Sequence, residues 1–284
     1  MNAQMGTSMN TNVLSIRDIS LSFVPDATGD APLHILNELS LEVPRGKITA
    51  LVGGNGSGKT TLFNIISGFQ KPDAGEVWFS ADAGAGAPAP ARIDNRAPAT
   101  IPRLGIERLF QDRQLFPTLT LLENFAIATR DTTGEFPFSR LASPGSLRRA
   151  ETAKETRTRG ILAELFGADN KYLDMLHEPG GAFSFGEQRL FSLARLLMPE
   201  STRLLLLDEP TSGVNPALCD TIAAILPRLV RDHALSVLLI EHNMPFVRQT
   251  ADCCASLSNG KIAAFGATEE ILNSPEVRAK YLGL

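Results

Sequence analysis

The sequence predicts an α/β fold: a mostly parallel central sheet flanked by helices, with an antiparallel β subdomain on its amino-terminal side and a helical insertion. Three observations predict it. Two aliphatic runs, 204–207 and 236–240, are separated by a helical stretch that puts Leu218, Ile222, Ile225, Leu226 and Leu229 on one face, the pattern of parallel strands joined by a crossover helix. Upstream, residues 48–52 run straight into a glycine-rich turn, after which Leu62, Ile65 and Ile66 recur at helical spacing until Gly68 stops them. Earlier still, Ile19, Leu21 and Phe23, and then Leu39, Leu41 and Val43, alternate with polar residues as half-buried antiparallel strands do.

In chain order, residues 1–12 are polar with scattered methionines and read as a frayed tail, with no basic start followed by an apolar run. One domain is expected from 13 to 284. The polar stretch 25–32 connects the first two strands, and 76–80 forms another. Residues 81–100 are dominated by alanine, glycine and proline and read as a flexible low-complexity surface insertion. From about 121 to 198 the pattern is helical, and the mixed charges of Arg148, Arg149, Glu151, Lys154, Glu155, Arg157 and Arg159 suit a solvated helix or, alternatively, an anionic docking face. A helix over 186–198 carries Leu190, Leu193, Ala194 and Leu197 toward a core and closes at Pro199, while Pro227 should kink or divide the crossover helix. Asn259-Gly260 predicts a tight hairpin turn between the last two strands.

Composition removes several function classes. With 284 residues, 43% apolar and 20% charged, the chain is neither collagenous, coiled-coil nor disordered. Its 27 basic and 31 acidic residues give a net charge of −4, without the basic footprint of non-specific nucleic-acid binding, so no nucleic-acid partner is expected. Cys219, Cys253 and Cys254 are odd in number and suggest no disulfide framework, no zinc site and a reducing compartment. No window approaches the ~20 apolar residues of a membrane-spanning helix, so any membrane crossing falls to other chains.

The chemistry is concentrated in a few motifs. Gly53-Gly54-Asn55-Gly56-Ser57-Gly58-Lys59-Thr60 fits the phosphate-loop pattern Gly-x-x-x-x-Gly-Lys-[Ser/Thr], in the required context between a strand and a helix. Its glycines let backbone amides close around an anion at the positive end of the helix. Lys59 would reach the β- and γ-phosphates, Thr60 would hold magnesium, and Thr61 lies beside them, so ATP and Mg²⁺ are the expected ligands. Asp208 and Glu209 end the aliphatic run 204–207. The first would enter the magnesium shell, and the second would orient or deprotonate the attacking water.

Between these motifs stands Phe183-Ser184-Phe185-Gly186-Glu187-Gln188, which resembles the Leu-Ser-Gly-Gly-Gln signature of ATP-binding cassette (ABC) proteins. The resemblance implies a head-to-tail dimer in which the signature of one subunit covers the nucleotide on the phosphate loop of the other, with Ser184, Gly186 and Glu187 at that nucleotide. Phe183, Phe185 and Glu187 depart from the family pattern. Gln111, in Leu109-Phe110-Gln111-Asp112, corresponds to the loop glutamine that senses magnesium and the γ-phosphate. His242 corresponds to the switch histidine, and Phe23 to the aromatic on which adenine stacks. Asn215, in Ser212-Gly213-Val214-Asn215, stands where the family often carries aspartate.

Residues 104–111, 115–120 with Glu123-Asn124, Glu241-His242-Asn243-Met244, and the ending from 266 onward look like the ATP-binding subunits of branched-chain amino acid importers. That branch implies a peripheral location on the cytoplasmic side of the inner membrane. Its partners would be two transmembrane permease subunits, a second ATP-binding subunit (self or paralogue) and, indirectly, a substrate-binding protein. Phe110, Leu115, Phe116 and Leu119 are candidate walls of the groove where a permease helix docks. Subunits for urea or amide import or lipopolysaccharide export are similar. A soluble cassette ATPase acting on ribosomes or DNA is the rival class, against which stand the single cassette, the absence of heptads and the acidic balance.

Overall fold

In the computed structural model, residues 11–23, 32–84, 86–111, 115–129, 144–275 and 277–278 are described. They belong to two compact units, one of Met1–Arg108, Thr202–Thr211 and Ala223–Leu284, the other of Leu109–Ser201 and Ser212–Ile222.

The first unit contains two sheets. In the antiparallel one, strands β1 (Asn12–Phe23), β2 (Leu33–Pro44), β4 (Ala74–Phe79) and β5 (Ala91–Arg92) lie in the order β2-β1-β4-β5. Pairs such as Leu14–Val43 and Ile16–Leu41 put apolar side chains into the core, as the alternation requires. Register shifts around Ile19 accompany positive φ at Asp18 (50°) and Glu38 (49°), whose N–H groups donate to the Ser40 and Ser20 hydroxyls.

The six-stranded sheet runs β10-β9-β3-β8-β7-β6, with β3 (Ile48–Gly53), β6 (Ile106–Leu109), β7 (Leu204–Asp208), β8 (Ser236–Ile240), β9 (Cys253–Ser258) and β10 (Lys261–Ala267). Strand β3 pairs in parallel with β8 and β9, and β7 with β8, while β10 folds back antiparallel on β9. Every residue of β3, β7 and β8 is buried, as expected for a parallel sheet covered on both faces. Helix α1 (Lys59–Ile66) contributes Leu62, Phe63, Ile65 and Ile66 to the core; truncating a core leucine such as Leu206 to alanine would cost about 2–5 kcal/mol. The predicted hairpin is present, with Asn259 at φ 49° and Gly260 at 72°.

Two expectations need correction. Residue 12, expected at the end of a frayed tail, is the first residue of β1, where Asn12 pairs with Pro44; residues 1–10 lie outside the described residues. The second half of 81–100 is built into the fold: β5 extends the antiparallel sheet, Ile93 is buried, and the buried Asp94 accepts from Val77 N–H and from Arg92. A single isoleucine and one satisfied carboxylate anchor a segment whose composition otherwise offers nothing to bury. Helix α5 (Pro216–His233) runs through Pro227, so of the two outcomes expected there division does not occur. Its buried Ile222, Ile225, Leu226 and Leu229 offset the lost backbone hydrogen bond.

The second unit holds helices α2 (Leu121–Ala126), α3 (Pro144–Phe166) and α4 (Phe185–Ala194), together with the start of α5. Capping boxes open α2 (Thr120 with Glu123) and α4 (Ser184 with Glu187). Phe166, Tyr172, Phe183 and Phe191 make edge-to-face contacts with ring centroids 4.8–6.2 Å apart. Most side chains of α3 from 148 to 156 are exposed; Arg157 reaches back to the carbonyls of Leu197 and Met198. This unit extends beyond the expected helical insertion at both ends and includes residues 212–222.

Candidate functional site

The first unit assembles a phosphate loop between β3 and α1. Gly53 is required by space, since a Cβ there would lie 2.6 Å from both the Leu257 carbonyl and Ser57 Oγ. Gly58 caps α1 at φ 104°, a conformation that L side chains rarely adopt, and its Cβ would meet Leu36. Lys59 Nζ donates to the carbonyls of Gly53 (2.8 Å) and Gly54 (3.0 Å), and Ser57 N–H donates to the Gly54 carbonyl. Ser57 Oγ is buried without a hydrogen-bond partner, an arrangement that costs about 1–3 kcal/mol and that an anion in the loop would relieve. Thr60 and Thr61 follow in the first turn of α1.

Parallel pairing places the carboxyl ends of β3, β7 and β8 on one edge of the sheet, where ligands of such folds bind. Asp208 ends β7 with its carboxylate buried, and Arg108 Nη2 donates to its Oδ2 at 3.0 Å. Burial lowers the Arg108 guanidinium from its usual value, against the hydrogen bond and charge of Asp208, which raise it. Glu209 sits at φ 47° and donates its N–H to the Ile240 carbonyl of β8. Its Oε1 lies 3.3 Å from His242 Nε2.

Sequence reasoning assigned no role to Glu241. Its buried carboxylate accepts from Thr211 N–H and hydroxyl with one oxygen and from the N–H groups of His242 and Asn243 with the other. One side chain thus fixes the segments that carry both Glu209 and His242. The signal was present as a carboxylate directly after the four apolar residues 237–240. Phe23, at the end of β1, is 49% exposed and so is a surface aromatic rather than a core residue.

Within the second unit, Ser184 caps α4 and donates its hydroxyl to Glu187 Oε2 at 2.8 Å. Glu187 Oε1 accepts from Lys171 Nζ (2.9 Å) and Tyr172 hydroxyl (3.1 Å). Desolvation alone would raise the Glu187 carboxyl, but the hydrogen bonds from Lys171, Ser184 and Tyr172 hold it down at about 2. Gly186 packs against Leu218, and Phe185, half exposed, lies over Gly213. Asn215 Oδ1 accepts from Leu218 N–H at 3.0 Å, capping α5. The carbonyls of Phe110 and Gln111 both accept from the buried Arg189, a positioning contact the sequence did not announce. Among the groove candidates, Leu115 is buried, whereas Phe116 is exposed.

The cysteines are free; burial pushes the Cys254 thiol up to about 12, which makes it an inert core residue.

The family model for ABC transporters matches residues 36–212. The chain belongs to the ABC transporter family. This ABC ATPase is 29% identical over 275 residues to the high-affinity branched-chain amino acid transport ATP-binding protein BraF of Pseudomonas aeruginosa, covering 97% of this chain and 99% of that protein. It is 30% identical to LivG of Escherichia coli, a protein of the same description, over the same shares of both chains. Among solved structures, the ADP conformation of an ATP-binding cassette of an ABC transporter superposes with a TM-score of 0.73 at 29% identity, covering 96% of this chain and 99% of that one. The mixed α/β architecture is therefore that of an ABC cassette, and the chain is an ATP-binding, ATP-hydrolysing subunit homologous to those transport proteins. Among the described residues, no helix is long and apolar enough to cross a membrane.

Proposed function

We propose that this chain powers a membrane importer of branched-chain amino acids or similar small polar solutes by hydrolysing Mg-ATP at its phosphate loop. One observation carries the hydrolytic reading: Glu209 and His242, on segments that follow adjacent parallel strands, meet at 3.3 Å on the sheet edge that also bears the phosphate loop. Similarity to BraF and LivG over 97% of the chain supports the transport assignment.

In this reading Gly53, Gly54, Asn55, Gly56, Ser57 and Gly58 cradle the phosphates with backbone amides, and the Ser57 hydroxyl gains the partner it lacks. Lys59 turns its ammonium to the β- and γ-phosphates, and Thr61 lies at the nucleotide. Phe23 offers its exposed ring to adenine. Magnesium suits the hard oxygen donors Thr60 and Asp208, and when bound it neutralises developing phosphate charge. Glu209 accepts the proton of the attacking water, and His242 donates toward the γ-phosphate. Gln111 takes the role of the loop glutamine on its sequence position.

A second ATP-binding subunit, self or paralogue, supplies Ser184, Gly186 and Glu187 across a head-to-tail dimer around two Mg-ATP. Two transmembrane permeases dock beside the Gln111 loop, where Phe116 is exposed. A substrate-binding protein delivers the solute to them. The chain is then peripheral, on the cytoplasmic side of the inner membrane.

Affinity isolation of the chain from detergent-solubilised membranes, with mass-spectrometric identification of its partners, tests this. Two hydrophobic permeases and a second cassette subunit are expected. Recovery with ribosomal or DNA-associated proteins alone would refute transport while leaving the ATPase site intact.

A further inference from the structure

The guanidinium of Arg108, on β6, is almost wholly buried: its side chain is 6% exposed and that of Asp208 5%. Each arm of its fork has a different destination. Nη2 donates to Asp208 Oδ2 at 3.0 Å, while Nη1 donates to Asn64 Oδ1 at 2.8 Å and Ser67 Oγ at 2.7 Å, both from α1 or its last turn. The Ser67 hydroxyl donates its own proton to the Phe63 carbonyl, so it is free of conflict as an acceptor, and the guanidinium carbon stands 5.6 Å from the Phe63 ring centroid. Neither the phosphate-loop pattern nor the acidic pair accounts for an arginine here.

We propose that Arg108 is a positioning residue for magnesium: it locks the Asp208 carboxylate to the helix that begins with Lys59 and Thr60, so that both oxygen donors are held in one rigid frame. The inference rests on the reading of Asp208 as a magnesium ligand. A carboxylate on a flexible rotamer binds a small, geometrically demanding cation poorly, and groups that orient a ligand matter nearly as much as the ligand itself. The planar fork is what spans the two elements; a lysine at this position reaches one of them. The arginine charge also keeps the buried Asp208 compensated before any metal arrives.

The test is Mg²⁺ titration of fluorescent N-methylanthraniloyl-ATP binding, with affinity in EDTA as the reference, for wild type, Arg108→Lys, Arg108→Met and Asp208→Asn. Arg108→Lys retains a cation and guards against loss of folding in Arg108→Met. Both arginine variants are expected to need roughly tenfold more Mg²⁺, or beyond, for half-maximal effect. An unchanged Mg²⁺ requirement in Arg108→Lys and in folded Arg108→Met, with only a lower Tm, would overturn the inference and leave a purely structural pair. If Asp208→Asn shifts the requirement and the arginine variants do not, this inference alone fails. If Asp208→Asn does not shift it either, the metal reading of Asp208 fails as well.

Discussion

His242 Nε2 lies 3.3 Å from Glu209 Oε1, and neither residue is there by side-chain packing alone. Glu209 is pinned at φ 47° by its N–H bond to Ile240, and His242 by the bond from its N–H to Glu241. A non-glycine residue held in the left-handed region costs about 1–3 kcal/mol, which the surrounding parallel sheet supplies. The bond to Ile240 fixes Glu209 at the strand end, where a water attacking a phosphate would be met.

His242→Ala should therefore leave ATP affinity largely intact and lower steady-state phosphate release by about 10²-fold or more, the loss expected for a positioned proton-handling group. Phosphate release with parallel nucleotide-binding measurements separates the two effects. Loss of binding with proportionate loss of rate would assign His242 to nucleotide affinity instead.

Glu241→Ala removes the acceptor of two hydrogen bonds from Thr211 and two from the N–H groups of His242 and Asn243. Leaving buried donors unpaired should cost about 1–3 kcal/mol for each unsatisfied group. Urea unfolding should show a reduced midpoint, and turnover should fall because the segments bearing Glu209 and His242 lose their common anchor. Wild-type stability would show that water replaces the carboxylate.

Lys59→Ala removes the ammonium now held on the Gly53 and Gly54 carbonyls. Loss of charge-assisted bonds of about 1.5–3 kcal/mol predicts roughly 10- to 150-fold weaker ATP binding by calorimetry. An unchanged affinity would remove the phosphate-loop assignment.

Glu187, with its carboxyl at about 2 instead of 4.5, ties α4 to Lys171, Tyr172 and Ser184. A folded-state value below the unfolded one stabilises the fold fully above about pH 4.5, and that stabilisation fades as the pH falls toward 2. Glu187→Gln should thus unfold earlier in urea than wild type at pH 6, with the difference shrinking between pH 4.5 and 3. A difference independent of pH would mean that shape, not charge, holds this contact.

Much of the fold could be read from local pattern, because spacing in the chain mirrors spacing in the element. Three or four buried aliphatics followed by glycine or acid marked β3, β7 and β8, and Asn259-Gly260 marked the hairpin. The catalytic candidates were legible for the same reason. What escaped was every residue whose meaning lies in a distant partner. Arg108 finds Asp208 a hundred positions away, Arg189 finds the Phe110 and Gln111 carbonyls, and Glu241 finds Thr211. Ile93 and Asp94 were hidden by the alanine and proline around them, although burial of that one pair joins 91–94 to the sheet. At Pro227 the apolar face of the helix carries it through without division.

The central claim is that Glu209 activates water at a nucleotide held by the phosphate loop, and Glu209→Gln tests it most directly. The substitution keeps the size and one acceptor oxygen and removes the base. Single-turnover release of phosphate from Mg-ATP should fall by about 10²- to 10⁴-fold, while ATP binding by calorimetry stays at the wild-type affinity. Phosphate release at the wild-type rate with ATP bound would contradict the account.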